Sequence, residues 1–174
     1  EHLENPRPPT YAVVSTIEVD ASPQNVWENV VTFSDLPEVK DWLFKTGIAY
    51  PTHAKIKGKG VGAERSCVFS TGPFEEPITV WDEPRELRFG VTSQPAPMQE
   101  WTFYAHIHPP HLERSFRAEE GQFLLEGLPN GRTRLHGTTW YYNDLWPSSY
   151  WKLWSDFIIH RIHLRVLNHV KDIS

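Results

Sequence analysis

The end of the sequence most constrains the fold, because it predicts one helix longer than any other element. Pro147 and the two serines after it are typical of a helix start, and the helical pattern continues to about Lys171. At about 100° per residue, an apolar face forms along this helix. Its members are Trp151, Trp154, Ile158, Ile162 and Val166. So wide an apolar face must lie against another element, which the preceding segments have to supply.

Most of the chain before this helix has the pattern of β-strands. From Tyr11 to Asp20, residues alternate with a period of two, and the apolar face carries Val13, Ser15, Ile17 and Val19. The same reasoning predicts further strands at Lys55–Lys57, Ala63–Ser70, Pro77–Trp81, Glu86–Thr92, Gln122–Leu128 and Thr133–Tyr142. Turn signals at Asp82–Arg85 and at Asn130-Gly131 separate two pairs of them. Strands joined in this way form an antiparallel sheet.

Two short helices are predicted after the first strand. Ser22 is a helix-capping residue, and Pro23 opens a helix that runs to about Thr32. A second helix begins near Pro37 and carries Trp42. The resulting order predicts an α+β domain in which the helices lie on one side of the sheet.

Length and charge narrow the possibilities further. The chain of 174 residues fits one domain over residues 11–174, preceded by a proline-rich linker over residues 1–10. The net charge is −5 and no basic run occurs, so neither nucleic acid nor an anionic membrane surface is expected as a partner. Without a run of 18 apolar residues, we expect a soluble domain. The single cysteine, Cys67, lies mid-strand and is expected to be a small buried hydrophobe.

Several segments together carry a family resemblance over about Val13–Val170. They are Asp20–Trp27, Gly60–Gly62, Trp81–Arg85, Gly131–Leu135 and the terminal helix. In this order they resemble the SRPBCC superfamily, also called helix-grip proteins, which includes START lipid-transfer domains, the birch pollen allergen and polyketide cyclases. The resemblance implies a curved antiparallel sheet of about seven strands wrapped around the long C-terminal helix.

Two other segments, Ile107–Leu112 and Tyr150–Asp156, are similar to a bacterial subgroup in which this domain follows membrane segments. The similarity implies that the full-length protein tethers a soluble domain to a bacterial membrane. It does not say on which side of the membrane the domain lies.

The helix and the sheet are expected to enclose a cavity that binds a hydrophobic or amphipathic, lipid-like molecule for sensing or transport. Period-two alternation selects the floor residues, and the helix supplies the roof; ordinary core packing is the alternative for each residue. The predicted ligand-binding residues are Phe69, Phe89, Trp101, Phe123, Tyr141, Trp151, Trp154 and Ile158. No cofactor is expected.

The segment Gln94–Arg117 is long for a loop in a compact domain, and its prolines oppose regular pairing, so we predict a lid over the cavity. His106, His108 and His111 lie in this lid. A metal site there is not expected, because Pro109-Pro110 fixes the chain between the second and third histidines and no cysteine completes a ligand set.

Two other functions stay open. A cyclase or dehydratase would need acid/base groups in the same cavity, and the candidates are His108, His111, Glu113, Tyr142 and Asp144. An interaction module would have a fully packed interior. His160 and His163, three residues apart on the helix, are expected to be a solvated or partner-facing pair. Gly58, Gly60 and Gly62 lead into a strand, which favours a tight bend over a phosphate loop.

The opposite side of the long helix carries a second apolar stripe, formed by Leu153, Phe157 and Leu164. Exposed contiguous apolar surface usually marks a contact site. Unless the lid or the N-terminal linker covers it, the stripe is expected to meet a second copy of the domain or the membrane portion of the protein.

Overall fold

The computed structural model describes residues 10–99 and 115–174, and their helices and strands follow the predicted order. The elements are β1 Thr10–Val19, α1 Pro23–Val31, α2 Trp42–Lys45, β2 Pro51–Lys57, β3 Glu64–Phe69, β4 Gly72–Asp82, β5 Glu86–Gly90, β6 Phe116–Gly127, β7 Thr133–Asn143 and α3 Ser148–Ile173. The predicted α+β architecture, with seven strands, two short helices after the first strand and a long last helix, is confirmed.

The seven strands form one antiparallel sheet in the order β1-β7-β6-β5-β4-β3-β2. In β1 the predicted alternation holds, since Val13, Ser15 and Val19 are buried and Val14 and Thr16 are exposed. Pairing shifts register in three places, in β2, β4 and β6. Such irregularities bend a strand and increase its twist, which curves the sheet.

The curved sheet holds α3 from both of its edges. The helix contacts β1 and β7 at one edge and β2 at the other. At the β2 edge, the guanidinium of Arg165 donates from Nε to the carbonyl oxygen of Pro51 at 3.0 Å. One turn earlier, Arg161 forms an ion pair with Asp41, just before α2. Helix and sheet therefore enclose the interior between them.

The short helices begin at capping residues. Ser22 accepts a hydrogen bond from the Asn25 N–H at 3.4 Å, as predicted for the start of α1. The second helix is shorter than predicted, since it begins at Trp42 rather than Pro37. Asp41 explains this start, because its carboxylate accepts from the Leu43 N–H at 3.1 Å while binding Arg161.

Three strands are longer than the sequence predicted. β2 starts at Pro51, β4 starts at Gly72 and β6 starts at Phe116. Proline in β4 does not prevent pairing, because it lacks only the donor, and Pro73 pairs with Val68. The start of β6 corrects the predicted loop boundary at Arg117.

The tight turns agree with the sequence. Between β6 and β7, Asn130 and Gly131 have φ of 67° and 74°, positive values that glycine and asparagine adopt more readily than other residues. Between β2 and β3, Gly58, Gly60 and Gly62 also have positive φ, as expected for a tight bend.

β1 begins at Thr10, one residue before the predicted start of the domain at Tyr11. Residues 1–9 lie outside the described part of the chain. Within residues 10–99 and 115–174, no helix has the length and apolar character needed to cross a bilayer.

The main core joins α1, the sheet and the C-terminal half of α3. Its fully buried members include Val26, Val30, Leu87, Leu135, Leu167 and Val170. Cys67 belongs to the same cluster, which confirms its prediction as a small buried hydrophobe. On the neighbouring strands, the ring of Phe89 lies directly over Gly121, which leaves no room there for a side chain.

This close approach gives a stability prediction. A Cβ at Gly121 would lie 2.4 Å from Phe89 Cε2, so Gly121→Ala must displace a buried ring and should cost about 1–3 kcal/mol of unfolding free energy. Urea denaturation measures the loss. Gly90→Ala is the matched control, because a Cβ at Gly90 meets nothing within 4 Å. Equal stabilities for the two variants would contradict the packing described.

Candidate functional site

A cavity of about 270 Å³ lies between α3 and the concave face of the sheet. Three predicted residues on the sheet, Phe69, Phe89 and Phe123, line it. The predicted helix residues Trp151, Trp154 and Ile158 also line it. Two further residues of the same apolar face, Ile162 and Val166, complete the helix side of the cavity. The walls are almost entirely apolar. That a ligand binds these residues stays a prediction.

Tyr141 does not line this cavity, contrary to the expectation. Its ring is fully buried and packs against Tyr11 and Phe116, with centroids 5.6 Å and 5.5 Å away. Its hydroxyl donates to Asp156 on α3 at 2.6 Å, which draws the side chain into a close-packed cluster beside the helix. Burial, together with Asp156, raises the pKa of this hydroxyl.

Several predicted residues lie outside the described residues: Trp101, the lid histidines His106, His108 and His111, and the acid/base candidate Glu113. The described beginning of the predicted lid, Gln94–Met98, lines the cavity. It is held by backbone bonds, including Ala49 N–H to the Pro97 carbonyl oxygen at 3.0 Å. Its side chains also meet β6, where Gln94 bonds the backbone of Phe116 and Ala118. The lid role itself stays a prediction.

Two other acid/base candidates lie away from the cavity. Tyr142 follows Tyr141 on β7, so its side chain leaves the opposite face of the sheet. Burial, with a smaller contribution from Asp144, raises the pKa of its hydroxyl. Asp144 is exposed after the end of β7. Neither lines the cavity, which corrects their selection as cavity groups.

A buried ion pair lies at the floor of the cavity, and the sequence analysis missed it. Arg65 on β3 binds Glu76 on β4, and both side chains are buried. The guanidinium also donates from Nε to the carbonyl oxygen of Val31 at 3.2 Å, at the end of α1. It thereby satisfies a carbonyl that the last turn of a helix leaves free.

Aromatic rings enclose this arginine. Its guanidinium carbon lies 5.1 Å from the Phe89 ring centroid and 5.7 Å from those of Phe33 and Phe123. Burial raises the pKa of the Glu76 carboxyl, and the adjacent charge of Arg65 opposes that rise. The sequence did contain an indication of this pair. Arg65 and Phe69 lie four positions apart on β3, so alternation places both side chains on the face of the sheet that lines the cavity.

A second polar group at the cavity is His163 on α3. Its Nδ1 lies 2.9 Å from the Ser15 hydroxyl, and its Nε2 lies 2.7 Å from the Thr139 hydroxyl. The same Ser15 oxygen lies 2.7 Å from Nδ1 of the exposed His160. His163 and Thr139 line the cavity. The expectation of a solvated or partner-facing pair is therefore wrong for His163, because β1 and β7 supply hydroxyl partners to its ring.

The environment keeps two titratable groups of the cavity wall, His163 and Cys67, uncharged near pH 7. Burial, and to a lesser extent His160, lowers the pKa of His163 to about 4, so its ring is neutral near pH 7. Burial and the neighbouring Glu76 raise the pKa of the Cys67 thiol to about 12. A thiol with that pKa is a poor nucleophile, in agreement with its expected structural role.

The outer stripe of α3 is only partly exposed. Leu153 is 71% exposed and Phe157 41% exposed, whereas Leu164 is partly buried. Other exposed rings near the start of the helix are Trp146, Tyr150 and Trp154.

The lowered pKa of His163 predicts acid sensitivity. The folded state binds its proton only near pH 4, whereas an unfolded histidine binds one near pH 6.5, so stability falls as the pH drops between these values. The loss is at most about 3 kcal/mol. Urea denaturation of wild type and of His163→Gln should show a shallower pH dependence for the variant. An equal pH dependence for the two proteins would contradict the environment described for His163.

Solved structures of similar architecture come from bacteria and a plant. A protein of Nitrosospira multiformis has a TM-score of 0.58 and 15% identity, over 93% of this chain and 94% of the other. Norcoclaurine synthase from Thalictrum flavum has a TM-score of 0.58 and 11% identity, over 98% and 97%. A protein of Bacillus thuringiensis has a TM-score of 0.57 and 12% identity, over 93% and 97%.

No family model and no curated protein matches the sequence. At these identities, similarity to solved structures establishes the fold alone. The curved seven-stranded antiparallel sheet around a long C-terminal helix identifies it: the chain has the Bet v 1-like helix-grip fold.

Proposed function

We propose that this chain binds a hydrophobic or amphipathic, lipid-like small molecule between α3 and the sheet, for sensing or transport. The observation that carries the proposal is the cavity of about 270 Å³ with walls built mainly from phenylalanine, tryptophan and isoleucine. A volume near the lower end of known ligand sites favours a compact apolar molecule, or the apolar part of a longer one.

The polar groups of the cavity support an apolar occupant. Arg65 binds Glu76 and a helix carbonyl, and His163 binds two hydroxyls. Because these polar groups already have hydrogen-bonding partners within the protein, an apolar ligand can fill the cavity without leaving a buried charge unpaired. Each Å² of apolar surface removed from water contributes about 25 cal/mol to binding.

The fold is compatible with this use. Norcoclaurine synthase has been solved in complex with dopamine and hydroxybenzaldehyde, and that structure has a TM-score of 0.56 to this chain. Its ligands are small aromatic molecules. Because the two sequences are only 11% identical, the comparison supports no more than this: a domain with this fold can hold such molecules.

An acid/base enzyme of the cyclase or dehydratase kind is the second candidate, and one observation favours it. His163 brings an ionisable side chain to the cavity wall. Against this role, both of its ring nitrogens are occupied by hydroxyls, and its low pKa makes it a weak base. We therefore rank ligand binding first. A packed interaction module ranks last, because the interior contains a cavity.

The binding proposal is tested by filling the cavity. Ile162→Trp should lower the affinity for N-phenylnaphthylamine by about tenfold or more, because the indole occupies the ligand's space. The emission of this neutral fluorophore reports its transfer into an apolar site, and dodecanoic acid should displace it. Asn168→Trp is the matched control, since it adds the same side chain at an exposed position of the same helix.

Two results would oppose the proposal. One is wild-type protein that never changes the emission of the probe. The other is equal affinity in both tryptophan variants, which would place the probe outside the cavity.

The exposed stripe of α3 is proposed as a contact between two copies of the domain. Its exposed apolar members, Leu153 and Phe157, continue into the exposed rings near the start of α3. The tether to a membrane stays a prediction from the sequence.

Sedimentation analysis across protein concentrations tests the contact. Leu153→Ser should weaken self-association and leave probe binding intact, because this side chain is 71% exposed and does not line the cavity. Val14→Ser, at an exposed apolar position on β1, is the control. A wild-type domain that stays monomeric at every concentration would contradict the contact between copies.

A further inference from the structure

We propose that Thr139 and His163 form a polar subsite in the cavity that binds one carbonyl oxygen of an otherwise apolar ligand. This inference rests on the proposed binding function and specifies the ligand's chemistry. It follows from the way four side chains on three elements share their hydrogens.

The four groups form a chain from the cavity to the surface. Thr139 on β7 bonds His163 Nε2, and His163 Nδ1 bonds Ser15 on β1. Ser15 in turn bonds Nδ1 of His160, which is exposed. Ser15 itself is buried, with 2% of its surface exposed.

While both rings are neutral, two orientations keep the hydrogen of the buried Ser15 hydroxyl within the chain, whereas acceptance from both rings would leave that hydrogen without an acceptor. Ser15 has one hydroxyl hydrogen, and each neutral imidazole has one N–H. If Thr139 donates to His163, then His163 donates to Ser15 and Ser15 donates to His160. If His160 donates to Ser15 and Ser15 donates to His163 instead, every bond reverses, and His163 donates to Thr139.

The two orientations present different groups to the cavity. In the first, the Thr139 hydrogen is already used, so an empty or hydrocarbon-filled cavity leaves no buried donor unpaired. In the second, the Thr139 hydroxyl accepts from His163, and its own hydrogen has no acceptor in residues 10–99 and 115–174. Thr139 is partly buried and faces the apolar cavity, where a donor without a partner is unfavourable, so this orientation is favoured by an acceptor on the ligand.

A carbonyl oxygen provides that acceptor. Reversal changes the tautomer of both rings: His163 loses its Nδ1 proton and gains one on Nε2, and His160 loses its Nε2 proton and gains one on Nδ1. The number of protons is therefore unchanged, the two hydroxyls only rotate, and the exposed His160 can exchange protons with water. The subsite therefore tolerates apolar molecules and adds a hydrogen bond for those that carry a carbonyl at this end of the cavity. The surrounding walls stay apolar, which strengthens such a bond.

Two probes of the same shape test the subsite. Acetylnaphthalene carries a carbonyl where isopropenylnaphthalene carries a methylene, so calorimetric titration of both isolates the contribution of the oxygen. Thr139→Val keeps the side-chain shape and removes the hydroxyl. It should weaken acetylnaphthalene binding about three- to tenfold and leave isopropenylnaphthalene binding unchanged.

The controls separate the subsite from the fold and from the proposed function. Thr139→Ser retains a hydroxyl and should restore the preference for the ketone. If Thr139→Val weakens both probes equally, or neither, the subsite is wrong while the cavity function stands. If wild type binds neither probe, the proposed function fails, and the subsite fails with it. Unchanged hydrocarbon binding shows that the variant is folded.

Discussion

One helix has to cover the concave face of a sheet that is much wider than itself. Seven strands spaced about 4.8 Å apart span roughly 29 Å, whereas a helix with its side chains is about 10–12 Å wide. Curvature reduces the mismatch by bringing β2 towards the helix that already rests on β1 and β7. The bulges in β2, β4 and β6 produce that curvature, and large aromatic side chains occupy much of what remains. The residual volume is the cavity.

The same constraint explains how polar groups are accommodated in the interior. Arg65 and Glu76 lie at the floor of the cavity, and the arginine ties β3 and β4 to the last turn of α1. Breaking such a buried pair by removing one partner leaves an uncompensated charge, which typically costs about 3–5 kcal/mol. At the other side of the cavity, His163 joins α3 to β1 and β7 through two hydroxyls. These bonds fix the position of the helix and leave the cavity walls apolar.

The fold was predictable because its determinants are local. Period-two alternation in β1, the Ser22 cap and the Asn130-Gly131 turn each act over a few residues, and each agrees with the structure. Alternation along β3 and β5 also placed Phe69 and Phe89 on the cavity wall. It failed for Tyr141, because alternation gives the face of the sheet but not the depth of packing under the helix. There the bond to Asp156 decides the position.

The polar residues of the site depend on pairings between distant segments. Ser15 and His163 are 148 positions apart, and no local pattern indicates that they meet. His160 and His163 share a hydrogen-bonding partner, Ser15, only because β1 lies beneath α3. The length of β4 was underestimated for a related reason, since pairing with a neighbouring strand outweighs local proline content.

The central claim is that an apolar molecule occupies the space between α3 and the sheet. Intermolecular nuclear Overhauser effects between naphthalene and selectively labelled isoleucine methyl groups test it most directly. The account predicts cross-peaks to Ile158 and Ile162, which line the cavity, and none to the exposed Ile173 at the end of α3. Cross-peaks confined to Ile173, or none to any isoleucine at saturating naphthalene, would contradict it.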